Sequence, residues 1–373
     1  MSISRRQWLK QGSFAALGLG LSIRSIANEE GITRNFGKEA GLINLGANEN
    51  PYGISPKAKQ AIIDLIAEAN RYQYNVPTVQ NFKKELADHF KVNAEQVLIT
   101  AGSGDGLGMM ARHFSYGNIV TATPTFGILP STAKNIGTKV IEAPLTNEKV
   151  HDLDKMISAI NDKTSLVYIC NPANPTATML KSSALKNFCI EASKKAAVLI
   201  DEAYIDFLDA PDNESMIGLI ENNQNIIVIG TFSKIHGMAG LRIGYTIGHP
   251  DTIKKLGDNY YQRSQFDCSV LSLGAALASL KDEEHRKISK KKNEEARTYT
   301  FNELKKMSYL CYPSFTNFLF FKLNNYHGDF AADMLKKNIL LRSSDYSDGK
   351  WSRVSVGTLD EMKTFISTLK SIA

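Results

Sequence analysis

Between about residues 95 and 250 the chain repeats one pattern. A short apolar run, often β-branched, stops at small and polar residues, and a helical stretch follows. Val97-Leu98-Ile99-Thr100, Ile119-Val120-Thr121-Ala122, Leu166-Val167-Tyr168-Ile169-Cys170, Ala197-Val198-Leu199-Ile200 and Ile226-Ile227-Val228-Ile229 are such runs. Runs without polar alternation suit strands covered on both faces, and strands alternating with helices build a mainly parallel sheet between helix layers. The pattern predicts an α/β fold. At 373 residues the chain has room for about two domains, and 43% hydrophobic with 22% charged residues is ordinary for a globular protein. A large domain is expected over residues 54–265. The loop at 28–53 and the helices and short strands of 266–373 are expected to form a smaller α+β domain.

The first 27 residues read as a targeting segment. Ser4-Arg5-Arg6-Gln7-Trp8-Leu9-Lys10 looks like a twin-arginine signal, Ser13 to Ile23 is mildly apolar, and Ser25-Ile26-Ala27 is a small-residue cleavage site. These features, in this order, predict a signal peptide over 1–27 and a periplasmic or otherwise exported protein. No apolar run is long enough to span a membrane, so no membrane attachment is expected once the signal is removed. Arg5, Arg6, Lys10 and Arg24 lie in this segment, and without them the formal charge falls from +6 to +2, with 40 basic against 38 acidic residues. A balance so near neutrality gives no electrostatic case for nucleic acid. The dense run Lys281 to Arg297 alternates in sign, as a solvated helix face does. Cys170, Cys189, Cys268 and Cys311 lack the close paired spacing of a metal site and are expected to be small buried residues.

The chemistry centres on Gly230 to Gly244, GTFSKIHGMAGLRIG, which follows the run ending at Ile229. Lys234 sits where the chain leaves that strand. Desolvation there lowers an amine's pKa, and a neutral amine forms a Schiff base with an aldehyde. Ser233 offers a hydroxyl and Arg242 a permanent charge, both suited to phosphate. An aldehyde that carries a phosphate is pyridoxal 5′-phosphate. The turn Ala101-Gly102-Ser103-Gly104, before a helix expected from about Leu107, would present backbone N–H groups and the Ser103 hydroxyl to the same phosphate. Asp201, ending the run Ala197 to Ile200, can pair with a protonated pyridine nitrogen and keep the ring an electron sink, and Tyr204 can hydrogen-bond the ring's 3′-oxygen.

The whole stretch from about Leu45 onward resembles the aminotransferase class I/II family of fold type I, and within it the histidinol-phosphate aminotransferase branch. The motifs N-E-N-P-Y-G (Asn48 to Gly53), R-Y (Arg71-Tyr72), P-T-F (Pro124 to Phe126), N-P-A-N-P-T (Asn171 to Thr176), D-E-A-Y (Asp201 to Tyr204) and R-V-S-V-G (Arg353 to Gly357) stand in the family's order. The resemblance implies that Lys234 is the catalytic lysine and that Phe126 stacks on the pyridine. It implies that Asn174 donates to the 3′-oxygen and that Asn50 and Tyr52 touch substrate. Arg353 would grip the substrate carboxylate in a two-pronged salt bridge, with Arg342 as a second anionic contact. Tyr72 would reach the phosphate of a partner subunit, which makes the expected assembly a homodimer. The family glycine after the N-P-x-N-P-T motif is replaced by Ala177, and its acidic residue at the glycine-rich turn by Gly104.

The implied function is a pyridoxal 5′-phosphate-dependent aminotransferase that works by a ping-pong Schiff-base mechanism. An amino acid or histidinol-phosphate-like amine would be the donor and a 2-oxo acid the acceptor. Two rivals are a decarboxylase of the O-phosphothreonine type in the same branch, and a non-catalytic ligand-binding protein on the same fold.

Overall fold

The computed structural model describes residues 41–72, 77–261, 268–324 and 326–372, and Asn44–Ala373 form one compact unit. The signal expected over 1–27 lies outside the described residues, as does the boundary expected at 265/266. The five runs become strands, and two more, β3 and β7, join them in one sheet: β1 Val97–Thr100, β2 Asn118–Thr123, β3 Val140–Pro144, β4 Thr164–Cys170, β5 Ala197–Asp201, β6 Ile226–Thr231 and β7 Gly244–Ile247. They lie in the order β1-β7-β6-β5-β4-β2-β3. All neighbours are parallel except at β7, which runs antiparallel to both β1 and β6.

The apolar runs fill two cores, one on each face. Val167, Ile169, Val198, Ile200, Ile226 and Val228 belong to one core, and Leu166, Tyr168, Leu199, Ile227 and Ile229 to the other. Successive side chains of a strand alternate in direction, so each run feeds both cores. Helices α1 Pro56–Leu65 and α2 Pro77–Phe90 precede β1, and α3 Ser103–His113, α4 Ile128–Asn135, α5 Leu153–Ala159, α6 Ser182–Ala192 and α7 Pro250–Tyr261 follow strands of the sheet. In α1 the Ser55 hydroxyl accepts from the Ala58 N–H and Pro56 opens the helix.

Later in the chain, α8 Val270–Leu280 packs on α1, and α9 Glu283–Lys306 carries the run of mixed charge. A second sheet, antiparallel, joins β8 Phe318–Lys322, β9 Arg342–Tyr346 and β10 Gly349–Ser355, with β10 in the centre. Its register sets Arg342 directly opposite Arg353. The chain closes with α10 Phe330–Leu335 and α11 Leu359–Ile372. The four cysteines are buried, as expected, and all four are free.

The start of α3 corrects the sequence reading. The helix begins at Ser103, with Gly102 at φ +86° as its cap, four residues before the expected Leu107. Ser-Gly-Asp-Gly has weak helix propensity, but the helix must lie close to the sheet. A Cβ on Gly106 would stand 2.5 Å from Ile229 Cδ1 and 3.3 Å from Thr246 Oγ1, so packing overrides propensity. The strand β8 starts at Phe318 and no earlier, because the Thr316 hydroxyl bonds the Phe318 carbonyl and N–H.

Ala177 takes φ +63° and is fully buried. It keeps the left-handed turn that a glycine makes without strain, at a cost of about 1–2 kcal/mol. Removing one methyl from the core forfeits about 0.8 kcal/mol. Ala177→Gly should therefore raise the denaturant midpoint slightly, whereas a fall would show that the methyl's packing outweighs the strain. Gly244 is a different case, since a Cβ there would meet only backbone: Ser103 N at 2.6 Å, Gly102 C at 2.8 Å and Gly230 O at 2.9 Å. Gly244→Ala should destabilise the protein by about 2–3 kcal/mol, in the range of core overpacking. Gly257→Ala, in α7 with open space around it, should stabilise it by about 0.5–1 kcal/mol. Equilibrium urea unfolding of the two variants checks both signs.

Candidate active site

The carboxyl ends of the parallel strands deliver polar residues to one edge of the sheet. Gly102 and Ser103 follow β1, Phe126 follows β2, Asn174 follows β4, Asp201 ends β5 with Tyr204 just beyond, and Ser233 and Lys234 follow β6. β7 is reversed, so Arg242, just before its first residue, arrives at the same edge. Ligands of open α/β sheets bind at this edge.

Lys234 is mostly buried. Its Nζ donates to the Asn48 carbonyl at 3.2 Å and lies 5.6 Å from the centre of the Tyr204 ring. Burial, reinforced by the charge of Arg353, pulls its pKa down to about 8 against the attraction of Asp201 and Glu49. A substantial share of the amine is then neutral near pH 7.5, as a carbonyl-reactive lysine requires.

Asp201 is 1% exposed. It accepts from the Tyr168 hydroxyl at 3.2 Å and the Ala203 N–H at 3.1 Å, yet burial raises its pKa to about 6. A carboxylate so placed favours a cation beside it, such as a protonated ring nitrogen. Glu202, the next residue, points elsewhere. It accepts from the Ser215 hydroxyl and the Met216 N–H, and burial pushes its pKa up to about 7. It borders a separate cleft of about 750 Å³ that none of the predicted site residues lines.

Gly102, Ser233 and Arg242 form a second group. The Arg242 guanidinium bonds the Ala239 carbonyl at 2.8 Å and reaches the Ser233 hydroxyl at 3.5 Å, and Thr231 donates to that hydroxyl at 2.9 Å. A Cβ on Gly102 would collide with the guanidinium. A cation, a hydroxyl and the N-terminus of α3 beside a glycine make a place for a phosphate. Ser103 and Gly104 stand in the first turn of that helix.

Tyr204 joins the remaining residues. Its hydroxyl accepts from the Asn48 amide at 3.0 Å and the Asn174 amide at 3.3 Å. Arg353 donates to the Asn174 Oδ1 at 2.8 Å and to the Gly46 carbonyl at 2.8 Å, and Arg342 donates to the same carbonyl at 2.8 Å. The Arg353 Nε is buried and finds no hydrogen-bond partner among the described residues. Asn50 donates to the Ile235 carbonyl at 2.8 Å, next to Lys234, and Tyr52 carries the Lys292 ammonium 5.0 Å from its ring centre. Phe126 is half-buried at the edge of a core. Tyr72 is 77% exposed, and Arg242 and Arg342 are exposed as well.

Four residues received no role of their own in the sequence reading: Asn48 and Ser355, which lie within its motifs, and Tyr168 and Asn317. Asn48 is 2% exposed with φ +54°, and its carbonyl receives both Lys234 and Asn317. The signal for it was an asparagine in a loop, a residue that tolerates the left-handed region. Tyr168 is the single hydroxyl-bearing side chain in the predicted run Leu166 to Cys170.

These residues fit pyridoxal 5′-phosphate: a buried lysine of lowered pKa, a desolvated carboxylate, a phosphate cradle and an arginine with an unused N–H. The fold agrees. A histidinol-phosphate aminotransferase from Sinorhizobium meliloti, solved with pyridoxal 5′-phosphate, superposes with a TM-score of 0.80 at 24% identity, covering 93% of this chain and 95% of that one. An L-threonine-O-3-phosphate decarboxylase from Porphyromonas gingivalis superposes with a TM-score of 0.74 at 18% identity, covering 88% and 99%. The architecture is thus that of a fold type I pyridoxal-phosphate transferase. A sequence model of aminotransferase class I and II matches residues 40–369, and a Bacillus cereus histidinol-phosphate aminotransferase 1 is 33% identical over 350 residues, 92% of each chain. The chain belongs to the aminotransferase class I and II family and is a pyridoxal 5′-phosphate-dependent aminotransferase.

The lowered pKa of Lys234 has a stability consequence for the cofactor-free protein. Below pH 8 the lysine is charged in both the folded and unfolded states, and the folded state carries the full cost of burying it. Between about 8 and 10.5 only the unfolded state holds the proton, so stability rises with pH. Lys234→Met should therefore stabilise the cofactor-free protein at pH 7, by about 3 kcal/mol for a shift of this size. The gain should shrink towards pH 10. Thermal unfolding at both pH values checks it, and a gain independent of pH would contradict the buried charge.

Proposed function

We propose that this aminotransferase takes an amine donor carrying two negative charges, either on one phosphomonoester, as in histidinol-phosphate-like amines, or on two carboxylates, as in dicarboxylic amino acids, and passes its amino group to a 2-oxo acid. The observation that carries this is the pair Arg342 and Arg353. They face each other directly on β9 and β10, where like charges repel. Among the described residues neither is paired with a carboxylate, and both lean on the single carbonyl of Gly46. Two adjacent guanidiniums without a counter-ion suit a ligand that brings the charge, bound by paired N–H donors.

When bound, pyridoxal 5′-phosphate supplies an aldehyde for amines and a ring that accepts the electron pair left as the donor's Cα–H bond breaks. Lys234 would hold it covalently, Asp201 its ring nitrogen, Tyr204 and Asn174 its 3′-oxygen, Phe126 its ring face, and Gly102, Ser103, Gly104, Ser233 and Arg242 its phosphate. Lys234, neutral in good part near pH 8, is the base that takes a proton from carbon and returns it at the neighbouring position. Arg353, held by Asn174 and Gly46, orients the donor's carboxylate or phosphate. Tyr52 and Asn50 border the substrate side.

The exposure of Tyr72, with Ile63 at 53% and Ile66 at 64%, supports a homodimer in which Tyr72 reaches the partner's phosphate site. Residues 1–27 act in this reading as a twin-arginine leader. Replacing Arg5 and Arg6 together by lysine should hold the protein in the cytoplasm, and unchanged export would refute that role.

The visible spectrum of the protein loaded with pyridoxal 5′-phosphate tests the reaction. Single amine donors should bleach the band, and 2-oxoglutarate should restore it. A response to donor with carbon dioxide release and no need for a 2-oxo acid would favour a decarboxylase. Binding without any spectral response would favour a non-catalytic protein. Arg342→Ala should raise the KM for doubly anionic donors about tenfold or more and that for alanine much less, while an equal effect on both would remove the charge argument.

A further inference from the structure

The hydrogen bonds around Tyr204 have directions that follow from their ends. Arg353 can only donate, so the Asn174 atom 2.8 Å from it is the amide oxygen. The other end of Asn174 is then NH₂, which can only donate, and Tyr204 accepts it. On the opposite side the Asn48 backbone N–H, also only a donor, bonds the Ser355 hydroxyl at 2.8 Å. Ser355 passes its own hydrogen to the Asn48 Oδ1 at 3.0 Å, which turns the Asn48 NH₂ to Tyr204 at 3.0 Å. Two chains of donors, one from Arg353 and one from Ser355, therefore end on the same phenolic oxygen.

We propose that Asn48 is a positioning residue: with Asn174 it fills both acceptor sites of the Tyr204 oxygen and thereby commits the phenolic hydrogen to donation into the site. Such a hydroxyl serves as a donor to an anionic ring oxygen and not as an acceptor. The backbone of Asn48 does a second job from the same position. Its carbonyl, presented by a left-handed conformation, seats the Lys234 amine at 3.2 Å and is steadied by the Asn317 amide at 3.1 Å. One buried loop residue thus sets the geometry of both the lysine and the tyrosine. The spectral half of the argument rests on the cofactor site assigned above, but the hydrogen-bond directions do not.

Asn48→Gly is the variant to make. It keeps the left-handed backbone and the carbonyl seat, adds no charge and removes only the amide. In cofactor-free protein labelled with ¹³Cζ-tyrosine, the Tyr204 resonance, assigned by its loss in Tyr204→Phe, should move on Asn48→Gly, and by a similar amount on Asn174→Ala. In the loaded enzyme, a donor to an anionic ring oxygen favours the deprotonated chromophore. The pH midpoint of the visible band should rise by about one unit in Asn48→Gly, with kcat about tenfold lower and the donor KM little changed. In a Tyr204→Phe background the same substitution should produce no further shift, since coupled residues are not additive. An unmoved resonance overturns the proposal, as does a shift of the band midpoint that is equally large without Tyr204. If wild-type protein shows no visible band on adding pyridoxal 5′-phosphate while the Tyr204 resonance still moves, the cofactor assignment fails and the proposal about Asn48 stands.

Discussion

A strand covered on both faces has nowhere to place a polar side chain except at its ends. β4, β5 and β6 are covered in this way, and the rest of the molecule follows from it. The direction they share with β1 and β2 brings five polar loops to one edge, where burial by two cores keeps the dielectric low. Lys234 loses its proton readily because of where β6 stops, and Asp201 holds its proton more tightly because of where β5 stops. The one reversed strand, β7, returns Arg242 to the phosphate side without a long connection.

Charge at this edge is arranged as an imbalance. Arg353 stands near Lys234 and lowers its affinity for a proton, and Arg342 faces Arg353 across the second sheet. Solvated surfaces avoid such proximity. Here it is stabilised by neutral acceptors, the Gly46 carbonyl and the Asn174 oxygen, which hold the guanidiniums in place without cancelling their charge. The result is a region poised for an anion, with a lysine that shares the same field.

The architecture and the core of the site were legible in the sequence because they are local. Five apolar runs announced the sheet, and the residues that terminate them, Asn174, Asp201, Tyr204, Ser233 and Lys234, are the ones the fold gathers. What was not legible depends on three-dimensional approach. The start of α3 was hidden by Ser-Gly-Asp-Gly, whose small residues look like a loop until the nearness of Ile229 explains them. Asn48 meets Tyr204, Lys234 and Ser355 across 156, 186 and 307 residues of chain, separations that no periodicity encodes. Ala177 was read as a departure from the family's glycine, and it stands in the left-handed region that glycine adopts without strain, which no sequence pattern announces.

The carbonyl of Gly46 bears on how such a site can change over generations. It anchors two arginines through an atom that every amino acid possesses. A Cβ at position 46 would meet Leu340 and Asn44 only at 3.5 Å or more, ordinary contact distance. A lineage can therefore change the residue here while the backbone grip on both guanidiniums is inherited intact.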